Sequence, residues 1–471
     1  MRKRKFVPYI IPELHITHAG SEGKSIGRHQ DKVVMVDFGA PGDVAEVKVT
    51  SSKKSFSFAA IQNLITPSAD RVDTFCTHFG TCGGCKWQHM SYDAQLRYKQ
   101  QQVFDAFERI GKFPFPAFEP IAGSAKTTYY RNKCEFSFTS KKWLTNLDHA
   151  QQLTETEHKG LGYHIPGRFD KVFDVEHCYL QHPIANDIRN AIRDYGKANQ
   201  LPFYNLYAQE GFLRNIILRN NEAGEWMLIV CFGYEDEQAR IALLTHIQKL
   251  FPQITSLLYV INTKKNDTIH DLDVHVFSGD DYLLEFLEDL KFKIGPQSFF
   301  QTNTQQTLTL YSKARALANL TGNEIVYDLY TGVGTIALFV AKHAKKVVGV
   351  EYVPSAIEDA KQNAALNNIS HTHFFAGDMK DVLNDAFVAE HGKPDVIITD
   401  PPRAGMHEDV VNKILEIAPK RVVYVSCNPA TQARDIALMQ HKYEVTCVQP
   451  VDMFPHTHHV ENIALLELKP E

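Results

Sequence analysis

Cys427 stands in Val425-Ser426-Cys427-Asn428-Pro429, at the end of the apolar run Arg421 to Ser426. A free thiol has a pKa of about 8.5 and becomes a nucleophile where nearby charge or a helix end favours the thiolate. Cys231 and Cys447 sit inside apolar runs and read as core thiols. The polar neighbours Ser426 and Asn428 set Cys427 apart from them. Two further groups have the chemistry to work beside it. In Thr399-Asp400-Pro401-Pro402-Arg403 the double proline imposes an extended loop that leaves the Asp400 carboxylate facing a cleft. Phe454-Pro455-His456-Thr457-His458-His459-Val460-Glu461 supplies an acid or base. Its three histidines lack a matching Cys or carboxylate set at metal-ligand spacing.

Cys76, Cys82 and Cys85 form a separate group, Cys-x5-Cys-x2-Cys. Thiolates at this spacing suit either zinc or an iron–sulfur cluster. The Gly83-Gly84 pair allows the tight wrap that either needs, and His78, His89 and His177 are candidates to complete a zinc site. Eight cysteines in 471 residues are too few for a disulfide scaffold.

Elements that would position these groups are visible around them. Glu324 to Tyr330, Val347 to Glu351, Val396 to Asp400 and Arg421 to Ser426 read as buried strands. They alternate with helical segments such as Pro354 to Asn367 and Glu408 to Ile417, which predicts a doubly wound, Rossmann-like α/β sheet with its ligand at the strands' carboxyl ends. The first strand runs into Thr331-Gly332-Val333-Gly334-Thr335, where the glycines bring backbone close to a ligand and Thr335 helps the helix begin. Gly-x-Gly-x-x-Gly and a Walker lysine are both missing, which disfavours a dinucleotide or triphosphate. Glu351, at the end of the next strand, is placed to accept hydrogen bonds from ribose hydroxyls, and Asp378 to hold an adenine amino group. A nucleoside without phosphates, S-adenosylmethionine, fits this set.

The chain length suggests about three domains. Residues 1–66 read as short strands of a small β-barrel, 67–90 as a cysteine-rich loop, and 91–122 as a helix and linker. Residues 123–284 read as a central α+β domain and 285–471 as the α/β domain. The net charge of −5 is uneven: residues 1–150 carry about +7 and the remainder about −12. A basic N-terminal part suits a nucleic-acid partner despite the acidic total. Arg131, Lys133 and Phe136, in Tyr130 to Phe138, mix cations and aromatics suited to phosphate contact and base stacking. The basic start, Met1 to Lys5, precedes too short and proline-broken an apolar run for a signal peptide. No run of 18 apolar residues is present, so no membrane partner is expected, and a cytoplasmic monomer is.

The motifs together resemble the RNA 5-methyluridine methyltransferase family of the TrmA/RlmD type. The resemblance rests on Gln297 to Asn303, Asp328 to Gly334, Asp400 to Arg403, Val425 to Pro429 and Asp452 to Glu461, in the family's order. It implies a Cys427 nucleophile, a Glu461 base, and cofactor contacts from Gln301, Tyr330, Glu351 and Asp400, with Thr335 and Asp378 beside them. It also implies that Cys178 completes a four-iron, four-sulfur (4Fe-4S) cluster with Cys76, Cys82 and Cys85. The barrel looks like a TRAM domain of OB-like form. The full architecture resembles the enzymes that methylate uracil C5 in 23S ribosomal RNA, with transfer RNA as the alternative substrate, since the minimal transfer-RNA enzymes typically lack barrel and cluster. Rival readings are weaker. Radical enzymes that share these cofactors use Cys-x3-Cys-x2-Cys, and exocyclic-amine methyltransferases usually carry an aromatic residue where Arg403 stands. A non-catalytic RNA-binding protein would not need Cys427 and Glu461 together.

Overall fold

The computed structural model describes residues 6–145 and 153–470. The basic start Met1 to Lys5 lies outside the described residues. Five strands between Tyr9 and Thr66 close into a barrel, in the order first, second, third, fifth, fourth. Alternation puts Leu14, Ile16, Val34, Val36, Val47 and Val49 inside, filling it. The cysteine-rich segment follows without regular structure, and Ser91 then caps a helix, Tyr92–Ala106, by accepting from the Ala94 N–H at 3.3 Å.

The central part is a mixed seven-stranded sheet with the helices Pro183–Ala198 and Glu237–Leu250 packed on one face. Its strand Lys133–Thr139 alternates strictly: Cys134, Phe136 and Phe138 enter the core, while Lys133, Glu135 and Ser137 face the other way. Phe136 is fully buried under Tyr163 and Arg189, so it cannot stack an RNA base. That corrects the expectation from sequence. A strand's side chains change face at each residue, so cations and aromatics one apart cannot serve one surface. Phe136→Ala is expected to cost about 3–5 kcal/mol of unfolding free energy by denaturant titration.

The last part carries the expected doubly wound sheet. Numbered from Ile325–Leu329, its strand order is 3-2-1-4-5-7-6. The first five strands are parallel; Glu461–Leu468 is the seventh, inserted antiparallel beside Arg421–Ser426. The order reverses between the first and fourth strands, Ile325–Leu329 and Val396–Thr399, and a ligand crevice opens at such a reversal. No helix among the described residues is long and apolar enough to cross a membrane.

Candidate active site

The sheet brings the predicted reactive groups to one end. Asp400 directly follows the fourth strand, Cys427 directly follows the fifth, and Glu461 opens the seventh, where Ser426 pairs with Asn462. Glu461 is buried, and burial pushes its carboxyl up to about 8, with the neighbouring Asp400 charge adding and Arg403 opposing. Burial likewise raises Asp400 to about 7. Cys427 is pushed up to about 11, by burial first and then by the Glu461 and Asp400 charges. Arg403 is the group near Cys427 whose charge favours its thiolate. By sequence, Arg403 closes the Asp400 motif and excludes another enzyme class, with no role at the thiol.

The Arg403 loop is fastened to the Cys427 turn. Asn428 Nδ2 and Thr431 Oγ1 donate to the Arg403 carbonyl at 2.9 and 3.2 Å. Arg403 Nη2 reaches His459 Nδ1 at 2.9 Å. Burial lowers His456 and His458 to about 4 and His459 to about 3, so all three rings are neutral near pH 7.

Beside these groups lie the residues expected to meet a nucleoside. Tyr330 holds a left-handed backbone, φ 64°, as the first strand turns into the glycine loop. Such strain in a non-glycine residue persists where the surroundings enforce it. Its hydroxyl is raised to about 12 by burial and by the Asp378, Asp435 and Glu351 charges. Gly332 has φ 56° and open space where a side chain would project, leaving the loop accessible to a ligand. Glu351 is held by the N–H groups of Gly332 and Val353 at 3.2 and 3.0 Å, with lone pairs left over.

Asp378 caps a short helix and pairs with Lys380 at 3.3 Å. Gln301 is buried, and its carbonyl accepts from Asn132 Nδ2 at 3.2 Å. Thr335 does not cap its helix: Gly334, at φ 81°, occupies that position, and the Thr335 hydroxyl meets Tyr311 instead, at 3.4 Å. Two residues belong here that the sequence reading passed over. Asp328 accepts from Thr331 Oγ1 and the Ala337 N–H, yet its Oδ1 is buried with no partner. A buried acceptor without a donor matches a cationic or amino-bearing ligand. Burial raises Asp328 to about 7. Tyr311, buried, faces Asp400, Asp328 and Glu461. The signal for Asp328 was its place near a strand end, at the head of the Asp328 to Gly334 motif; nothing local marked Tyr311.

The cysteines converge as well. Cys76, Cys82, Cys85 and Cys178 line one cavity of about 480 Å³, together with His78 and His177. Arg131, Lys133, Arg219 and His459 line the same cavity, which therefore runs from the cysteines towards Arg403. Lys133 also pairs with Glu135 at 3.1 Å. Burial, reinforced by the other thiols, lifts Cys82 to about 11 and Cys85 well above its ordinary value. His89 is spoken for elsewhere, its Nε2 on the Gly39 carbonyl at 3.1 Å. Among the described residues no three metal-ligating side chains meet at the spacing of a single ion.

Comparison with known proteins agrees with this geometry. Residues 274–469 match the tRNA (uracil-5-)-methyltransferase family and residues 12–61 the TRAM domain. An uncharacterized RNA methyltransferase of Bacteroides thetaiotaomicron is 55% identical over 95% of this chain and 100% of its own length. One from Porphyromonas gingivalis is 52% identical over 96% and 99%. Among solved structures, the Pyrococcus abyssi tRNA (uracil-54, C5)-methyltransferase in complex with S-adenosyl-L-homocysteine is 27% identical, with a TM-score of 0.74. It covers 96% of this chain and 100% of its own. With sheet end, cofactor loop and barrel all in agreement, the chain belongs to the RNA uracil-C5 methyltransferases, enzymes that depend on S-adenosylmethionine, and carries an N-terminal TRAM domain.

Proposed function

We propose that Cys427 is the nucleophile, Glu461 the base and transfer RNA the substrate. The convergence of Cys427, Glu461, Asp400 and Arg403 at one sheet end carries the chemical part of this reading. Uracil C5 is a poor nucleophile until a group adds at C6. The Cys427 sulfur bonds to C6, and the ring's electrons shift to C5 and the adjacent carbonyl. When bound, S-adenosylmethionine would supply the methyl group to C5 and be left as S-adenosylhomocysteine. Glu461 then takes the C5 proton, the C5=C6 double bond re-forms, and the Cys427 sulfur leaves. Arg403 stabilises the thiolate at both ends of this cycle. Asp328, Tyr330, Glu351, Asp378 and Gln301 would hold the cofactor, the unpartnered Asp328 Oδ1 being the clearest vacant acceptor. Asp400, next to Cys427 and Glu461, would touch both the cofactor and the uracil. Arg131 and Lys133, along the cavity towards His459, would meet the RNA backbone.

Transfer RNA is favoured over 23S ribosomal RNA by the Pyrococcus abyssi enzyme. It acts on transfer RNA with an architecture that covers nearly all of this chain. A fold of this extent therefore does not by itself select ribosomal RNA. Mass-spectrometric mapping of 5-methyluridine with and without the gene tests this. Loss from transfer RNA with 23S RNA unchanged is expected; the opposite pattern restores the ribosomal reading.

The four cysteines fit a 4Fe-4S cluster in their donor chemistry. Four thiols share one cavity, and their mutual charges oppose ionisation unless a cationic group takes the sulfurs. Cys76, Cys82, Cys85 and Cys178 would hold such a cluster through their four sulfurs. Fully ligated, the cluster would leave no iron open to substrate. Anaerobic purification is expected to give a brown protein with about four irons per chain. A colourless protein containing zinc would overturn the assignment.

A further inference from the structure

The segment that carries His459 and Glu461 is held by residues more than 350 positions earlier in the chain. Its turn centres on His456, a non-glycine residue at φ 65°. A left-handed backbone is disfavoured for a histidine and needs support from its surroundings. Gln95, fully buried in the helix Tyr92–Ala106, provides it from one side. Its Oε1 accepts from the His456 N–H at 2.8 Å, and its Nε2 lies 3.2 Å from His456 Nδ1 and 2.9 Å from the Met90 carbonyl. From the other side the N–H groups of Lys86 and Trp87, which directly follow Cys85, both donate to the His456 carbonyl, at 2.9 and 3.0 Å.

The same helix anchors the segment's beginning. Lys99 Nζ, fully buried, bonds Asp452 Oδ1 at 2.6 Å and the Phe454 carbonyl at 3.0 Å, while Tyr92 donates to Asp452 Oδ2 at 2.9 Å. Three residues after His456 comes His459, on Arg403; two further on, Glu461 enters the sheet. Both the backbone N–H and the carbonyl of His456 are thus committed to partners outside its own segment.

We propose that Gln95 is a positioning residue for methyl transfer. It holds His456 in its left-handed turn and so sets where His459 and Glu461 stand, while the cysteine loop grips the same turn through Lys86 and Trp87. The proposal rests on the reading of Glu461 as the base. It joins the cysteine cavity to the catalytic cleft by a backbone contact, with no electron transfer.

Gln95→Met keeps length and burial but deprives the His456 N–H of its acceptor. Turnover is expected to fall roughly 10²-fold, as for a misplaced catalytic group. KM for S-adenosylmethionine should stay unchanged, because Glu351, Asp328 and Tyr330 sit on other elements. Release of Cys427 should stall, so a covalent protein–RNA band should accumulate on a denaturing gel. A second pair of variants does not depend on Gln95. His456→Val and His456→Asn both remove the ring, but asparagine tolerates the left-handed backbone and a β-branched residue does not. The valine variant should accumulate the band; the asparagine variant should retain most of its turnover.

Normal turnover in a folded Gln95→Met protein, or equal behaviour of the two His456 variants, would overturn the proposal. If Gln95→Met does not fold, the His456 pair decides. Glu461→Gln run alongside separates the two levels. If it traps no adduct, the base assignment fails; if it traps adduct while Gln95→Met and His456→Val turn over normally, only the positioning role fails.

Discussion

Cys427→Ala is expected to reduce methyl transfer by on the order of 10³-fold or more while the protein binds RNA as before. The residue is half-buried at a strand end, and its removal leaves the strand Arg421–Ser426 and its pairing untouched. The loss would therefore be chemical rather than structural. Without the sulfur at C6, no electron density reaches C5, and the cofactor's methyl group has no acceptor. Radiolabelled methyl transfer together with a filter-binding titration checks both halves. Full turnover in the variant would sink the covalent mechanism. The resting thiol, raised to about 11 by burial and two carboxylates, sharpens the expectation for Arg403. That guanidinium is the nearby charge that offsets them.

Glu461→Gln should lower turnover by about 10²–10⁴-fold, the range for a lost general base, and should trap the Cys427–RNA adduct as a shifted band. In the unsubstituted enzyme the base must be ionised to accept the C5 proton, so turnover should rise with pH through about 8. Stability moves the other way. The folded carboxyl is raised above its ordinary value of 4.5, so its contribution is full below about 4.5 and is lost as pH rises towards about 8. Glutamine stays neutral throughout. The variant should melt higher than the unsubstituted enzyme above about pH 8, although it is nearly inactive. A melting point unchanged there would mean that Glu461 is not held in the buried state described.

Much of this site was legible in the chain. The strands ending at Leu329, Glu351, Thr399 and Ser426 were visible as apolar runs because a parallel sheet is buried on both faces. The residues just beyond those runs, Tyr330, Asp400 and Cys427, then fall at one edge by the geometry of parallel strands alone. Phe136 was misplaced for the converse reason. Its strand is rich in cations and aromatics, and only the sheet's register decides which of them faces the helices.

What the sequence determined by itself is therefore the chemistry and the scaffold end on which it sits: a thiol, carboxylates, a glycine loop and a cysteine set. Periodicity and strand-end position are local properties, written in consecutive residues. The tertiary structure alone decided how those groups are tuned and held. It set Cys427, Asp400, Glu461 and Arg403 against one another, left Asp328 Oδ1 without a partner, and joined Gln95 to His456 across 361 residues. Burial and long-range hydrogen bonds depend on what the folded chain places around a residue, and no local pattern encodes that.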